Sequence, residues 1–379
     1  MAITLHYYRS DPSNFGDELN TLVWRALVPE LEKTERDGVL VGIGTILDGS
    51  IPADREIFVV GTGAGLVPPP PDLLTSRFHI VAVRGPLTAA LAGLPADLAV
   101  TDPALLLRVI YPQLLRAPGR PAGRTIFVPH FTTAKDEGWR RACTLAGVEF
   151  VDPTGSCNTI LKKIASARLV IAEAMHAAIV ADAFRVPWTP VSSTRHFSTF
   201  KWVDWALSLQ VPYRPTVLPA VSVRHKCQRA WLSLFAERCV VDGVSTGSGE
   251  AEVHSEIVSR LLRDTARRLE SRGSATSLWF RMKAAAVYKR ILDPLVAWLS
   301  PGLLRAFDGP MEHRMGRVLS ELAAAPGYLS GEKISAARLK TLVERVELLR
   351  SHFDAGEPAA ARAASAHIRT SGRTRTKFE

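Results

Sequence analysis

The chain has 379 residues, of which 47% are hydrophobic and 22% are charged. A chain of this length usually exceeds one hydrophobic core, so we expect at least two domains, and the composition excludes a disordered protein. The four cysteines are too few and too irregularly spaced for a disulfide framework or a paired-cysteine zinc site, which predicts reduced thiols and no metal.

Positive charge is concentrated in the second part of the chain. Residues 1–220 hold 21 Lys and Arg against 20 Asp and Glu, whereas residues 221–379 hold 26 against 17. A basic segment of this kind favours an anionic partner, either nucleic acid or a membrane surface. No apolar run is long enough to cross a bilayer and no secretion signal precedes the first strand, so we expect a cytoplasmic protein.

Apolar runs rich in Val and Ile alternate with helical patterns through the first 220 residues. The predicted strands are residues 3–8, 38–43, 56–60, 79–83, 98–100, 124–128, 148–151, 169–172 and 187–191. Such runs are typical of parallel strands that helices cover on both faces. The sequence therefore predicts an α/β fold with two doubly wound, Rossmann-like domains, residues 1–115 and 120–220, and a Pro- and Gly-rich hinge at 111–122.

Helical patterns replace the strands after residue 221. They cover residues 228–239, 250–272, 278–298 and 335–353, and predict a helical extension over 221–354 with a disordered tail at 355–379. Within this extension, one predicted apolar helix face has basic residues at its flanks. The face consists of Trp279, Phe280, Val287, Ile291, Leu295 and Trp298, and the flanking residues are Arg281, Lys283, Lys289 and Arg290. That composition is typical of a helix lying in a membrane interface, and also of a helix that packs on the catalytic domains.

Most of the unusual polar and glycine residues in the first 220 positions follow a predicted strand. They are Asn14, Gly16, Asp17, Gly44, Gly61, Gly63, Gly65, Arg84, Asp102, His130, Glu173 and His176. Open parallel sheets bind ligands at the carboxyl ends of their strands. We therefore expect a ligand cleft between the two domains, with these residues at its edge.

Arg84 and the glycine-rich turn at 61–65 are the candidate anion ligands. Pro86 suits a first helical turn, so Arg84 would add a fixed charge beside a helix N-terminus, where carboxylates and phosphates bind. The N–H groups of the glycine turn could cradle a phosphate, although a tight turn between strand and helix explains the glycines as well. An ordinary ion pair is the alternative for Arg84.

His176 is the candidate acid or base. It is predicted to lie in the first turn of a helix, where small neighbours leave room for a catalytic imidazole. Nearby cations would lower its pKa, whereas a bound anion or Glu173 would raise it. His130 ends another strand and is the second candidate, and Asp102, directly before Pro103, is expected to be a helix N-cap.

Lys201, Trp202, Asp204 and Trp205 form a compact segment of charged and aromatic residues. One interpretation is a wall that stacks on a sugar ring and hydrogen-bonds its hydroxyls. The alternative is a helix packed back across the domain interface.

Taken together, these motifs resemble the polysaccharide pyruvyl transferase family. The matching pieces are residues 14–20 (NFGDELN), 41–44 (VGIG), 83–88 (VRGPLT), 101–106 (TDPALL) and the Met175-His176 turn ahead of Val186-Pro187, in family order. The Lys201–Trp205 segment is similar to one in the branch that decorates rhizobial-type exopolysaccharides. One departure is Glu-Ala-Met at 173–175, where the family commonly has Arg or Ser ahead of Leu-His.

The resemblance implies a glycosyltransferase-B type fold and transfer of a pyruvyl group from phosphoenolpyruvate to a sugar of a surface polysaccharide, with ketal formation. It places the family's site arginine and histidine on Arg84 and His176, and it implies phosphoenolpyruvate as co-substrate without a further cofactor. The acceptor in such pathways is a lipid-linked oligosaccharide or polysaccharide, so the enzyme would work free in the cytoplasm or peripherally on the inner membrane face.

Two other functions remain open on the sequence. A nucleotide-sugar glycosyltransferase would share the fold and would need an acidic residue, such as Glu173, to bind the ribose. A non-enzymatic protein that binds nucleic acid or membranes would explain the charge. Because the basic region has no recognisable nucleic-acid-reading motif, we expect no nucleic-acid partner.

Overall fold

A computed structural model describes residues 3–34, 36–65, 67–116, 123–194, 198–235, 258–267, 287, 290–291, 293–299 and 304–354. Within them the chain forms two β-sheets whose strands all pair in parallel. The predicted α/β fold with parallel strands is confirmed. The predicted tail at 355–379, hinge residues 117–122 and the start of the predicted 278–298 helix lie outside the described residues.

The first sheet has four strands in the order β1-β2-β3-β4. They are β1 Ile3–His6, β2 Gly38–Val41, β3 Glu56–Val60 and β4 Phe78–Ala82. Every residue of β2 is buried, which fits its unbroken apolar sequence, since such a strand is covered on both faces. The helices of this half are α1 Phe15–Leu27, α2 Pro86–Leu91 and α3 Leu107–Ile110.

The second sheet has five strands in the order β6-β5-β7-β8-β9. They are β5 Thr125–Val128, β6 Glu149–Phe150, β7 Leu169–Ala172, β8 Trp188–Ser192 and β9 Thr216–Val217. Its helices are α4 Gly138–Ala146, α5 Cys157–Ser166, α6 Met175–Ala183 and α7 Thr199–Leu209. The central strands β5 and β7 are buried throughout, as expected for the middle of a parallel sheet.

Side chains and backbone groups join the two halves. The N–H of Phe15, at the start of α1, donates to the carbonyl of Pro153 after β6 (3.0 Å). Ser208 of α7 donates through its hydroxyl to Thr101 (2.8 Å). Apolar residues of both sheets belong to one continuous buried cluster, so the carboxyl ends of the two sheets are held close together.

The C-terminal helices pack on both sheets. They are α8 Val223–Phe235, α9 Asp293–Leu299, α10 Arg305–Ala324 and α11 Glu332–Asp354, with a further helical stretch at 258–267. α10 lies along α4, where Gly316 permits close approach to Leu145. α11 crosses to the first sheet, where Phe353 packs edge-on against Phe58 of β3 (ring centroids 4.9 Å apart).

Three elements of the structure differ from the prediction. Residues 98–100 are not a strand, because a 3-10 turn at Ala96–Leu98 leaves Ala99 only an isolated bridge to Val83. The two-residue strand β9 was not predicted, since so short a run has no visible period. α10 was also missed: Pro310 lies inside it and interrupts the helical pattern, but packing on α4 outweighs that local penalty.

Candidate functional site

One cavity of about 610 Å³ opens where the carboxyl ends of both sheets meet. The first half contributes residues 6–9 after β1, Asn14 and Asp17 at the start of α1, residues 44–46, 48 and 50 after β2, and Val67. The second half contributes residues 130–131 after β5, residues 174–176 at the start of α6, and Lys201 of α7. Six predicted site residues therefore line it: Asn14, Asp17, Gly44, His130, His176 and Lys201.

The first turn of α1 presents Asp17 to the cavity. Asn14 is the N-cap of this helix, and its side-chain N–H donates to Oδ2 of Asp17 (2.9 Å). Burial raises the pKa of Asp17 to about 6, against the opposing effects of the Asn14 hydrogen bond and the Lys201 charge. A carboxyl group with this pKa can exchange a proton near neutral pH.

His176 lies in the first turn of α6, as predicted, and its side chain is 15% exposed. A Cβ at Gly16 would overlap its imidazole, so glycine at that position makes room for the ring. Burial first, then the charges of Lys201 and Arg84, lower the pKa of His176 to about 3. Burial and the nearby cations therefore determine the pKa of His176 in the ligand-free protein, and its imidazole is neutral at pH 7.

Asp102 lies behind His176. Its Oδ1 accepts from the N–H of Ala104 (3.0 Å), which makes it the predicted N-cap, here of a 3-10 turn at Pro103–Leu106. Its Oδ2 is buried without a hydrogen-bond partner among the described residues and lies 4.0 Å from Nε2 of His176. Besides capping, Asp102 therefore supplies the nearest carboxylate to the His176 ring.

His130 also lines the cavity, at the end of β5. Its backbone N–H donates to Oε2 of Glu173 (2.8 Å), and Nδ1 lies 2.8 Å from the Thr132 hydroxyl. Burial, followed by the charge of Lys201, lowers the pKa of His130 to about 3. The cavity therefore contains two imidazoles that are neutral near pH 7.

Glu173 does not line the cavity, contrary to prediction. It is 1% exposed, and its two carboxylate oxygens accept from the N–H of His130, the Thr133 hydroxyl (2.7 Å) and the N–H of Ser193 (2.9 Å). Because both oxygens are occupied, Glu173 fixes the loop that carries His130. The acidic group that a nucleotide-sugar glycosyltransferase would need for its ribose is thereby unavailable at this position.

Arg84 does not reach the cavity wall either. Its side chain is 1% exposed and pairs with Asp204 of α7 (Nε to Oδ2, 3.3 Å). Nη1 donates to the carbonyl of Gly44 (3.2 Å) and the hydroxyl of Thr45 (2.9 Å). The ion-pair alternative is therefore the one the structure supports: Arg84 lies one layer below the cavity and supports the β2 loop that lines it.

The glycine turn at 61–65 is also committed to the fold. The N–H of Gly61 donates to the carbonyl of Ala82 (2.7 Å), and that of Gly63 donates to the carbonyl of Gly44 (2.9 Å). Gly44 has a φ of +136°, which an L side chain rarely adopts. Gly61, Gly63 and Gly65 lie outside the cavity wall, so the predicted phosphate cradle is not formed by this turn.

The predicted sugar-stacking wall is wrong for its two tryptophans. Trp202 is 2% exposed and Trp205 is fully buried, and both pack around Trp188 of β8. Asp204 is also fully buried and accepts from the N–H (2.9 Å) and hydroxyl (2.6 Å) of Thr88 at the start of α2. The alternative of a helix packed across the interface is confirmed, and only Lys201 reaches the cavity.

Sequence reasoning missed the residues that directly follow β1. His6, Tyr7, Tyr8 and Arg9 line the cavity because β1 ends at His6 instead of continuing to Tyr8. The signal was present, since polar aromatic residues at a strand end suit a ligand edge better than a buried strand. After β2, residues 45–50 were missed because no motif marks them.

The wall of the second half is suited to an anion. α6 begins at the cavity, and among the described residues no side chain caps its N-terminus. Uncapped N–H groups and the helix dipole favour a carboxylate or phosphate at such a position, and Lys201 adds a positive charge to the same wall. Two neutral imidazoles can donate or accept hydrogen bonds there, and Asp17 can exchange a proton.

Among the described residues, no group of three or more His, Cys, Asp or Glu side chains could hold a metal ion. None of the helices described is both long and apolar enough to cross a bilayer.

Comparisons with known proteins agree with these features. The polysaccharide pyruvyl transferase family matches residues 14–195, which include the cavity residues after β2, after β5 and at the starts of α1 and α6, but not residues 6–9 or Lys201. A succinoglycan biosynthesis protein, ExoV of Rhizobium meliloti (strain 1021), is 39% identical over 220 residues, which cover 58% of this chain and 68% of that protein. No solved structure matches the chain.

Proposed function

The chain belongs to the polysaccharide pyruvyl transferase family, and from this premise we propose that it transfers a pyruvyl group from phosphoenolpyruvate to a sugar of an exopolysaccharide, closing a ketal. The observation that carries the proposal is the cavity itself. It joins the uncapped start of α6 and the Lys201 cation to a carboxyl group of raised pKa, Asp17. An anionic donor that must be protonated on carbon needs both features.

The donor would bind against the second half of the cavity wall. Phosphoenolpyruvate carries a carboxylate and a phosphate, which the first N–H groups of α6 and the ammonium of Lys201 can hold. His130 and His176 would add hydrogen bonds from neutral rings. Arg84 would contribute from below by fixing the Gly44–Thr45 backbone.

We propose Asp17 in place of His176 as the proton donor. The reaction begins when C3 of the enol takes a proton from the acid, which leaves C2 with oxocarbenium character. One sugar hydroxyl adds to C2 and loses its proton to the Asp17 carboxylate, which restores the acid. Phosphate then leaves, the second hydroxyl closes the ketal, and its proton departs with the phosphate.

The charges around Asp17 favour this assignment. Burial already favours its protonated form, whereas burial and Lys201 favour the unprotonated form of His176 and His130. A bound dianion would raise the pKa of all three groups. Because Asp17 starts at about 6 and the two imidazoles at about 3, Asp17 is the first of the three to hold a proton near neutral pH. Burial raises the pKa of Asp102 to about 6 as well, but Asp102 lies outside the cavity wall.

The two parallel sheets are consistent with a two-domain arrangement of glycosyltransferase-B type, which we propose for this chain.

We further propose that the enzyme works at the cytoplasmic face of the membrane on a lipid-linked acceptor. Val287, Ile291, Leu295 and Trp298 repeat at helical spacing and are 44%, 59%, 47% and 78% exposed. Apolar side chains at this spacing, in a basic segment, suit an anionic lipid surface.

Liposome sedimentation tests the membrane proposal. The full chain should sediment with anionic vesicles and much less with neutral ones, and Trp298→Ala should weaken the anionic binding. Binding that is equal on both vesicles would leave this face with a purely structural role.

The reaction is tested with the purified chain, phosphoenolpyruvate, and surface polysaccharide from the source organism stripped of pyruvate by mild acid. We expect release of inorganic phosphate together with a new ketal methyl signal in the proton NMR spectrum of the polymer. Omission of the polysaccharide should abolish both. Consumption of a nucleotide sugar, with no phosphate released from phosphoenolpyruvate, would instead establish a glycosyltransferase.

A further inference from the structure

The cavity has two ends of different chemical character. The charges acting on His130 and His176 are cationic and come from Lys201, with Arg84 added at His176. The charge acting on His6, which follows β1, is the carboxylate of Asp48. One end is therefore cationic, and the other, formed by the segments after β1 and β2, carries both the Asp48 carboxylate and the Arg9 guanidinium.

The β1–β2 end of the cavity contains a set of polar groups that hydrogen bonds hold in place. Ser50 donates its N–H to Oδ1 of Asp48 (2.8 Å), and its hydroxyl lies 3.2 Å from Nε2 of His6. A carboxylate oxygen, a hydroxyl and an imidazole thus lie together on the wall of the cavity.

An exposed aromatic ring lies beside these polar groups. Tyr8 lines the cavity and is 57% exposed, one of the larger exposed fractions among the apolar and aromatic side chains of the described structure. Its neighbour Tyr7 is held in place, because the Thr21 hydroxyl donates to the Tyr7 hydroxyl (3.3 Å) and the Arg9 guanidinium lies 5.0 Å from the Tyr7 ring centroid.

Sugars are recognised by this combination of groups. The C–H face of a pyranose packs on an aromatic ring, while carboxylate and hydroxyl oxygens bond its hydroxyls. An anionic donor is attracted to Lys201 and the start of α6 at the opposite end, whereas the β1–β2 end carries one charge of each sign, Asp48 and Arg9, and so suits a neutral partner. Ketal formation also requires two hydroxyls at the donor carbon, so the acceptor must enter the same cavity.

Resting on the proposed function, we infer that the β1–β2 end of the cavity, built from Tyr8, Asp48 and Ser50, is the acceptor-sugar subsite. Tyr8 packs on the sugar ring, and Asp48, oriented by Ser50, accepts from its hydroxyls. This subsite takes over the role that the sequence suggested for the tryptophans of α7, which lie in the core.

The test separates acceptor binding from donor binding. Tyr8→Ala and Asp48→Asn are assayed with phosphoenolpyruvate and the acid-stripped polysaccharide, and phosphoenolpyruvate affinity is measured alone by calorimetry. We expect the KM for the polysaccharide to rise tenfold or more in both variants, with the Kd for phosphoenolpyruvate unchanged within twofold. Leu74→Ala is the matched control, since Leu74 is 72% exposed and lies outside the cavity wall.

The outcomes are distinct. A wild-type chain that neither binds phosphoenolpyruvate nor releases phosphate from it overturns the proposed function. An active wild type, with a normal polysaccharide KM in Tyr8→Ala, Asp48→Asn and the milder Ser50→Ala, overturns the acceptor subsite alone. Because Tyr8 and Ser50 are exposed and Asp48 is partly exposed, these variants should fold normally, which circular dichroism verifies.

Discussion

The start of α1 and the first turns of α7 both carry residues that the sequence predicts for the site, but the two helices occupy different environments. In α1, Asn14 and Asp17 line the cavity. In α7, Trp202, Asp204 and Trp205 are buried between the two halves, and Lys201 alone reaches the cavity. The first turn of α1 faces the ligand edge, whereas α7 packs along the interface and buries ten of its eleven residues.

Asp204 and Asp17 carry the same charge but have different roles. Asp204 neutralises the buried Arg84 guanidinium and anchors the start of α2 through Thr88. Asp17 has one oxygen bonded by Asn14 and faces the cavity. Replacement of Asp204 should therefore lower the stability of the fold, and replacement of Asp17 should lower turnover.

The largest effect is expected from Asp204→Ala. It leaves the Arg84 guanidinium buried without its counter-charge, which typically costs about 3–5 kcal/mol of unfolding free energy. Urea unfolding followed by circular dichroism measures the loss. Asp204→Asn, which keeps an oxygen for Thr88, should lose less. A variant of wild-type stability with a weakened polysaccharide KM would mean that α7 contacts the acceptor after all.

Asp17→Asn should lower turnover by roughly 100-fold or more, about 2.7 kcal/mol in the barrier, because an amide cannot supply the proton. In wild type, kcat/KM should fall as the pH rises above about 6, since the carboxyl must be protonated. The Asp17 contribution to stability should have the same sign, because burial disfavours its carboxylate: relative to Asp17→Asn, wild type should gain stability as the pH falls from about 6 toward 3.8.

Glu18→Gln is the matched control for Asp17. The Glu18 carboxylate lies outside the cavity wall, and its charge raises the pKa of Asp17. The substitution removes that charge. We expect activity within a few-fold of wild type and a small shift of the alkaline limb to lower pH. Turnover that is normal in Asp17→Asn and lost in His176→Ala would return the acid role to His176.

The smallest of these effects is expected from Lys201→Gln, the one position where α7 meets the cavity. Loss of the cation should weaken phosphoenolpyruvate binding by about tenfold, or about 1.4 kcal/mol. Since Lys201 lowers the pKa of Asp17, its removal should also move the alkaline limb of kcat/KM to higher pH. Calorimetry and the pH profile measure the two effects, and a change in neither would remove Lys201 from the donor site.

The sequence predicted which strand ends form the candidate site better than it predicted which side chains line that site. Asn14, Asp17, His130 and His176 follow strands whose apolar patterns were clear, and parallel strands bring their carboxyl ends together. Arg84 follows a strand in the same way, yet it points into the interface, because Asp204, 120 positions later, supplies a buried counter-charge. No local pattern carries that information.

Strand periodicity and the first turns of α1 and α6 were determined by the sequence alone, because they depend on neighbours within a few residues. The burial of α7, the commitment of the glycine turn to Ala82 and Gly44, and the exposure of Tyr8 were decided by tertiary structure. Each depends on which distant part of the chain covers a side chain. Burial, which raises the pKa of Asp17 and encloses Trp205, is established only when the two halves pack.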